Sequence, residues 1–322
     1  MKTLKPGGAM SCADNTFATD LPRFPMPSWS GHENTVQRGI QRTMRLLATS
    51  TPDHRNTVRI LFYGQSITEQ AWWQIVADDL QTRYPNANLT IENLALGGFA
   101  SQMLVKTAET DLYPFYPDLM IFRVSGDHER YEDIIRRTRE RTTAEIIMQT
   151  DHVTKPEDFT EQIDPEALWP PDGKQWAAFM NHRWLPELAV KYGTVLCDQR
   201  ALWKRYLTDN AFAPEALLSD GTHLNAHGEF LMGEFMKAHL QAAPELGPSA
   251  AENWVETYTV GRDMHWQDGR LRLNFRGNRV DVIVTPGSGK PPASVCIDGR
   301  RPSDIAELYG FTRALAEPGG KW

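Results

Sequence analysis

An α/β fold, with a mainly parallel sheet sandwiched between two helical layers, is what this 322-residue sequence predicts. Three observations carry the prediction. Short apolar runs alternate with stretches of helical periodicity, the order that builds strand–helix–strand units. Runs such as Leu119–Val124 are apolar almost continuously, as in strands covered on both faces rather than one. The helical stretches that separate the first runs are long enough to serve as crossovers, so successive strands are expected to lie parallel with helices on both faces.

In chain order, residues 1–32 are rich in Pro, Gly and Ser and read as irregular. Val36, Ile40, Met44 and Leu47 recur at helical spacing and predict a helix over Glu33–Thr49. Val58–Tyr63 is the first strand and is followed by a helix around Glu69–Arg83. Leu89–Leu94 and a helical stretch near Met103–Glu109 form the second pair, and Leu119–Val124 with a helix through Ile134–Arg141 the third. Ile146–Thr150 precedes a long connection, after which Trp176–Lys191 reads as a helix, Thr194–Cys197 as a short strand and Phe230–Leu240 as the closing helix. In such sheets the ligand site lies at the carboxyl ends of the strands.

Beyond Ala243 the pattern changes. Pro244–Ser249 looks like a linker, and Trp254–Val260, Arg270–Phe275 and Arg279–Val284 alternate as strands do, the last two across a turn at Arg276-Gly277-Asn278. Ser294–Ile297 adds a fourth short strand. The chain therefore divides into an N-terminal extension with one helix (1–54), an α/β domain (55–243) and a small C-terminal β-rich module (252–322), which reads as incomplete because four short strands are not stable alone.

Composition narrows the function classes. Apolar residues make up 41% and charged residues 23%, as in an ordinary globular enzyme, and a net charge of −7 gives no electrostatic footprint for nucleic acid or anionic membranes. The local run Arg136–Arg141 is interrupted by Glu140 and reads as a solvated helix face. Cys12, Cys197 and Cys296 are odd in number and far apart, which yields neither a disulfide framework nor metal-ligand spacing. The first twenty residues lack the apolar stretch of a signal peptide and no 18-residue apolar run follows, so the sequence as it stands predicts a cytoplasmic protein, or an extracytoplasmic one if a leader lies upstream.

Two places carry chemistry. Asp220 and His223 stand three residues apart in a polar turn, immediately before the apolar run that starts at Phe230. At that spacing the carboxylate can orient the imidazole of its own turn, as the third member of a nucleophile–base–orienter set must. Far upstream, Val58–Tyr63 runs straight into Gly64-Gln65-Ser66, which puts Ser66 at the end of a buried strand, where a nucleophile is presented. Alone, Ser66 would be a turn residue; beside the Asp–His pair it becomes a candidate nucleophile. No Gly-x-Ser-x-Gly elbow occurs. Gly287-Ser288-Gly289-Lys290 is a turn rather than a phosphate loop, because Val284 and Pro291 stand where Gly and Ser or Thr are needed. His223 and His227 are four apart, but Leu224 replaces the Glu that a zincin places after its first His. No metal or cofactor is expected.

These residues resemble the SGNH (GDSL-type) hydrolase superfamily over roughly residues 55–243, and in particular its Gly-Gln-Ser carbohydrate (acetyl) esterase members. Gly64-Gln65-Ser66 is similar to the first block and Asp220-x-x-His223 to the last. Asn93 through Gly97-Gly98 resembles the second, which makes Gly98, or Gly97 beside it, an oxyanion donor. The third block departs: Ser125-Gly126-Asp127-His128 has His128 where the family has Asn. An imidazole N–H can donate as the amide does, so the resemblance implies an oxyanion hole of Ser66 N–H, Gly98 N–H and His128. It also implies the family's three-layer, flavodoxin-like sheet and a Ser66–His223–Asp220 triad.

The expected activity is hydrolysis of short-chain acyl esters, acetyl above all, on a small molecule or polysaccharide. Gln65, Gly97, Trp72, Asp127 and His152 are the candidate substrate contacts, and Glu161–Pro171 a candidate substrate-shaping loop. The alternatives are a lysophospholipase or thioesterase, a sugar O-acyltransferase, and a non-catalytic carbohydrate-binding protein in which His128 marks a decayed oxyanion hole. Neither a nucleic-acid nor a membrane partner is expected.

Overall fold

The computed structural model describes residues 24–29, 37–163, 176–277, 279–282 and 294–305. Five strands, β1 (Thr57–Gly64), β2 (Asn88–Asn93), β3 (Leu119–Arg123), β4 (Glu145–Gln149) and β5 (Val195–Cys197), form one sheet in the order β2-β1-β3-β4-β5. Every pairing is parallel. β1 and β3 lie side by side, but the connection from β1 leads outward to β2 and that from β3 leads outward to β4. Their carboxyl ends, where Gly64 pairs with Arg123, are thus the topological switch point of the sheet.

The helices are α1 (Gln41–Ala48), α2 (Ser66–Glu69), α3 (Trp72–Arg83), α4 (Ser101–Thr107), α5 (Leu112–Phe115), α6 (His128–Arg141), α7 (Trp176–Phe179), α8 (Leu185–Tyr192), α9 (Gln199–Asp209) and α10 (Ala226–His239). The period-two alternation of the strands assigns two cores. Ile60, Phe62, Ile121 and Ile147 face α1, α3, α9 and α10, whereas Leu61, Tyr63, Met120, Phe122 and Met148 face α4, α5, α6 and α8. A fully buried side chain of this size contributes about 1.5–3 kcal/mol, so this double-sided burial explains why the runs carry no polar face. The expected α/β sandwich is therefore the observed one.

Local differences have local causes. The expected helix at 69–83 is two pieces, broken at Gln70, whose extended ψ of 157° ends α2. The helix over Trp176–Tyr192 is continuous in direction but carries a π-helical turn at Met180–Trp184. α9 has no counterpart among the expected elements, although Asp198 caps it through the Ala201 N–H and Leu202, Trp203, Tyr206 and Leu207 mark its buried face.

The four C-terminal strands do not form among the described residues. That stretch holds only isolated bridges, Val260–Met264, Gln267–Arg270 and Ile297–Arg300. Its alternating apolar residues, Phe275, Val280, Val282, Val295 and Ile297, are exposed. Alternation makes a strand only where a second apolar surface covers one face, and among the described residues none covers these. Among the described residues no helix is long and apolar enough to cross a membrane.

Candidate active site

Gly64 ends β1 in a crowded place: a Cβ there would lie 2.1 Å from the Arg123 carbonyl oxygen and 2.4 Å from Thr68 Oγ1. Gln65 follows in an extended conformation, and its carbonyl accepts from the Thr68 and Glu69 N–H groups at 2.8 and 3.0 Å. The chain thus turns from strand to helix within one residue, and Ser66 becomes the first residue of α2. Being first, its N–H has no acceptor inside the helix.

The candidate base arrives from a distant part of the chain. Leu218 and Leu224 bridge, the Ser219 N–H donates to the His223 carbonyl at 2.8 Å, and Asn225 caps α10 through the His227 and Gly228 N–H groups. The turn between them is drawn around Asp220, whose Oδ1 accepts from the N–H groups of Thr222 and His223, both at 2.7 Å. Asp220 Oδ2 lies 2.8 Å from His223 Nδ1, and His223 Nε2 lies 3.0 Å from Ser66 Oγ. The structure therefore brings together the three residues expected from the two distant motifs. The carboxylate is acceptor only, so Nδ1 carries the proton and Nε2 presents a lone pair to the hydroxyl. The His223 N–H, the His223 ring and the Thr222 N–H hold the Asp220 carboxyl down at about 2, so it is charged at any ordinary pH. The pair is open: the His223 and Asp220 side chains are 40% and 57% exposed.

Gln70 staples the two halves. Its Nε2 donates to the Leu224 carbonyl and its Oε1 accepts from the Leu224 N–H, both at 2.9 Å. The amide thus ties Leu224, the residue after His223, to Gln70, the residue after α2. No periodicity or spacing marks such a residue.

The glycine pair is placed by the sheet. The Leu94 and Leu96 N–H groups continue the β2 ladder onto Phe62 and Gly64, and Asn93 donates to the Thr68 carbonyl at 2.7 Å. Gly97 is carried to Ser66: a Cβ on it would lie 3.9 Å from Ser66 Cβ and 2.6 Å from Glu69 Oε2. Gly98 turns the chain with φ of +77°, a conformation strained for other residues.

Several expected site residues have other duties. Trp72 is corrected outright as a substrate contact. Its side chain is 0% exposed, its Nε1 donates to the Ile67 carbonyl and its ring packs edge-on against Phe62. His152 is likewise corrected: it is 2% exposed, and its Nε2 lies 2.8 Å from the Thr222 carbonyl oxygen, so it meets the protein and not a ligand. Gln65 Oε1 accepts from the Ser125 N–H, which fixes the β3 exit. Asp127 caps α6 by accepting from the Arg130 N–H. The substrate-shaping segment lies outside the described residues from 164 onward. Its first residue, Glu161, binds Arg200 through both oxygens.

His128 opens α6 and turns into an aromatic enclosure, its ring centroid 3.9 Å from that of Trp176 and 4.4 Å from that of Trp184. It is 3% exposed, and this enclosure argues against the donor role that the resemblance gives to the position. His227 stacks on Phe24 and lies 2.7 Å from the Tyr206 hydroxyl, so it does not pair with His223. Among the described residues no group of His, Cys, Asp and Glu is arranged to hold a metal ion.

Burial holds both His128 and His152 down at about 4, against 6.5 for a free imidazole, and the Arg123 charge adds to the effect at His152. Between pH 6.5 and 4 the unfolded chain binds protons that the folded one refuses, so stability is full above this window and falls as the pH drops through it. His128→Phe keeps the ring packing and removes one of the two groups. Its melting temperature should fall less than that of the wild type between pH 7 and pH 5. Parallel melting curves over that range would mean that His128 titrates normally in the fold.

No family model and no curated protein matches this chain. Among solved structures it is similar to a GDSL-like lipase from Parabacteroides merdae, at 18% identity and a TM-score of 0.45, over 57% of this chain and 96% of that one. It is also similar to Axe2, an acetylxylan esterase from Geobacillus stearothermophilus, at 16% identity and a TM-score of 0.47, over 58% and 95%. A third likeness is to the acetyl xylan esterase AlAXEase, at 20% identity and a TM-score of 0.43, over 56% and 98%. These likenesses assign no activity to this chain.

Proposed function

We propose that the protein is a serine esterase acting on short acyl esters, acetyl foremost, of a carbohydrate. The observation that carries the reading is the unbroken hydrogen-bond chain from Ser66 through His223 to Asp220. Ser66 Oγ attacks the ester carbonyl carbon while His223 Nε2 takes its proton. The carbonyl oxygen becomes an oxyanion received by the Ser66 and Gly98 N–H groups, with Gly97 packed beside them. Collapse expels the alkoxide, which leaves as the alcohol with the proton that His223 returns. Water then repeats the sequence on the acyl-enzyme, releasing the acid and restoring Ser66. Asp220 stays ionised throughout and stabilises the imidazolium.

The exposure of the site favours water over a sugar hydroxyl as acceptor, because a transferase must exclude water from its acyl-enzyme. An open edge also suits an acetyl group carried on an oligomeric chain. The carbohydrate part of the reading rests on the Gly-Gln-Ser turn and its resemblance to esterases of that kind.

The test is hydrolysis of p-nitrophenyl acetate beside the octanoate ester, together with labelling by a fluorophosphonate mapped by mass spectrometry. Fast acetate release with the label on Ser66 supports the reading. A preference for octanoate would replace it with a lipid or thioester hydrolase, and sugar binding without label or turnover with a binding protein. His128→Phe should keep activity within a few-fold; a loss of about 10²–10³ in kcat would return His128 to the oxyanion hole.

A further inference from the structure

We infer that His152 is a positioning residue, which holds the Asp220–His223 turn by donating to the Thr222 carbonyl. The inference rests on the esterase reading for its effect on rate, but its geometry stands apart from it. The turn is a surface loop of exposed residues, Ser219 to Thr222. Gln70 fastens its far end at Leu224. Thr222 is fastened at its N–H by Asp220 and at its carbonyl by His152 Nε2, 2.8 Å away. The peptide between Thr222 and His223 is thus gripped on its carbonyl by His152 and on its N–H by Asp220, and it sets where the His223 ring points.

A carbonyl can only accept, so Nε2 of His152 carries the proton and Nδ1, which has no partner among the described residues, is bare. The post on which this ring stands is rigid. His152 follows Asp151 at the end of β4. The Asp151 carboxylate meets Arg123 at 2.6 Å, and its N–H donates to Asn181 Oδ1 in the π-helical turn, also at 2.6 Å. The His152 carbonyl accepts from Arg200 Nη1 at 2.8 Å. Arg200, 2% exposed, is itself clamped by Asp158 and by both oxygens of Glu161. The ring packs against Trp203 of α9 with centroids 5.4 Å apart. A buried charged network at the carboxyl end of β4 is thereby connected to the reacting imidazole through one hydrogen bond. Without that bond the turn relaxes, and the 3.0 Å approach of His223 to Ser66 is lost from part of the population.

The experiment compares His152→Phe, which keeps the ring packing, with His152→Gln, whose Nε2 can reach the same carbonyl. His152→Phe should lower kcat by about 10- to 100-fold with KM changed less than about 3-fold, since a displacement of an ångström at a reacting group costs rate rather than affinity. His152→Gln should recover kcat to within about 5-fold of the wild type. Hydrogen exchange of the 217–225 segment, read on the same proteins, should rise in the Phe variant and return in the Gln variant. Wild-type rate and exchange in His152→Phe would overturn the inference, as would a Gln variant that folds yet is as slow as the Phe variant. An inactive wild type whose loop exchange still follows the two variants would sink the esterase reading and leave the positioning role intact.

Discussion

Ser66→Ala is expected to lose about 10⁵- to 10⁶-fold in kcat for acetate esters, the scale on which removal of a nucleophile disables its whole constellation. The hydroxyl is the one group that both faces the ester and gives its proton to His223, at 3.0 Å. Its removal leaves the oxyanion donors and the binding surface in place, so a small residual rate over water should persist. The Ser66 hydroxyl meets His223 in an open part of the site, so its removal should leave the melting temperature unchanged. Asp220→Asn should fall less far, by about 10⁴-fold, because the amide oxygen still accepts from the N–H groups of the turn while the imidazole loses its preferred tautomer. Steady-state hydrolysis with the purified variants checks both. Unchanged turnover in Ser66→Ala would end the proposed mechanism.

Gly64→Ala should destabilise the fold by about 3 kcal/mol, at the upper end for overpacking. The obstacle is backbone rather than a movable side chain: the new methyl would sit 2.1 Å from the Arg123 carbonyl oxygen across the β1–β3 pair. Relief requires the strands to part at the switch point, two residues from the nucleophile. Activity should therefore fall with stability, which thermal denaturation beside acetate hydrolysis will show. Gly221→Ala is the control, since nothing lies within 4 Å of a Cβ there. A Gly64→Ala protein that melts with the wild type would mean that the strand ends are far looser than drawn.

The parts of the fold that were legible are those in which neighbouring residues settle the matter. Val58–Tyr63 and Leu119–Val124 read as buried strands because both faces need apolar side chains, and Asp220 with His223 because the turn alone brings carboxylate to imidazole. What depends on a distant partner was not legible. The direction in which Trp72 points is decided by Phe62, and the duty of His152 by a carbonyl seventy residues away. Gln70 has no signature, since the backbone N–H and carbonyl that it meets belong to a residue 154 positions on. The alternating C-terminal residues looked like strands because alternation records an appetite for a partner surface and not its presence. α9 was within reach, as its cap and buried face are both local.

The two halves of the site are joined across 157 residues of chain, and α10, which follows the base, rests on α3, where Gly233 lets Ile75 approach within 3.0 Å of a notional Cβ. Contacts across so long a stretch of chain cost more loop-closure entropy than those within a strand–helix unit. Function is therefore a property of the finished chain. A refolding population that has recovered its ellipticity with α10 undocked leaves Trp29 and Trp203 without Phe235, and leaves Ser66 without His223 beside it. On the esterase reading, activity requires that docking, so its recovery on refolding should be a stricter test of the native state than any measure of secondary structure.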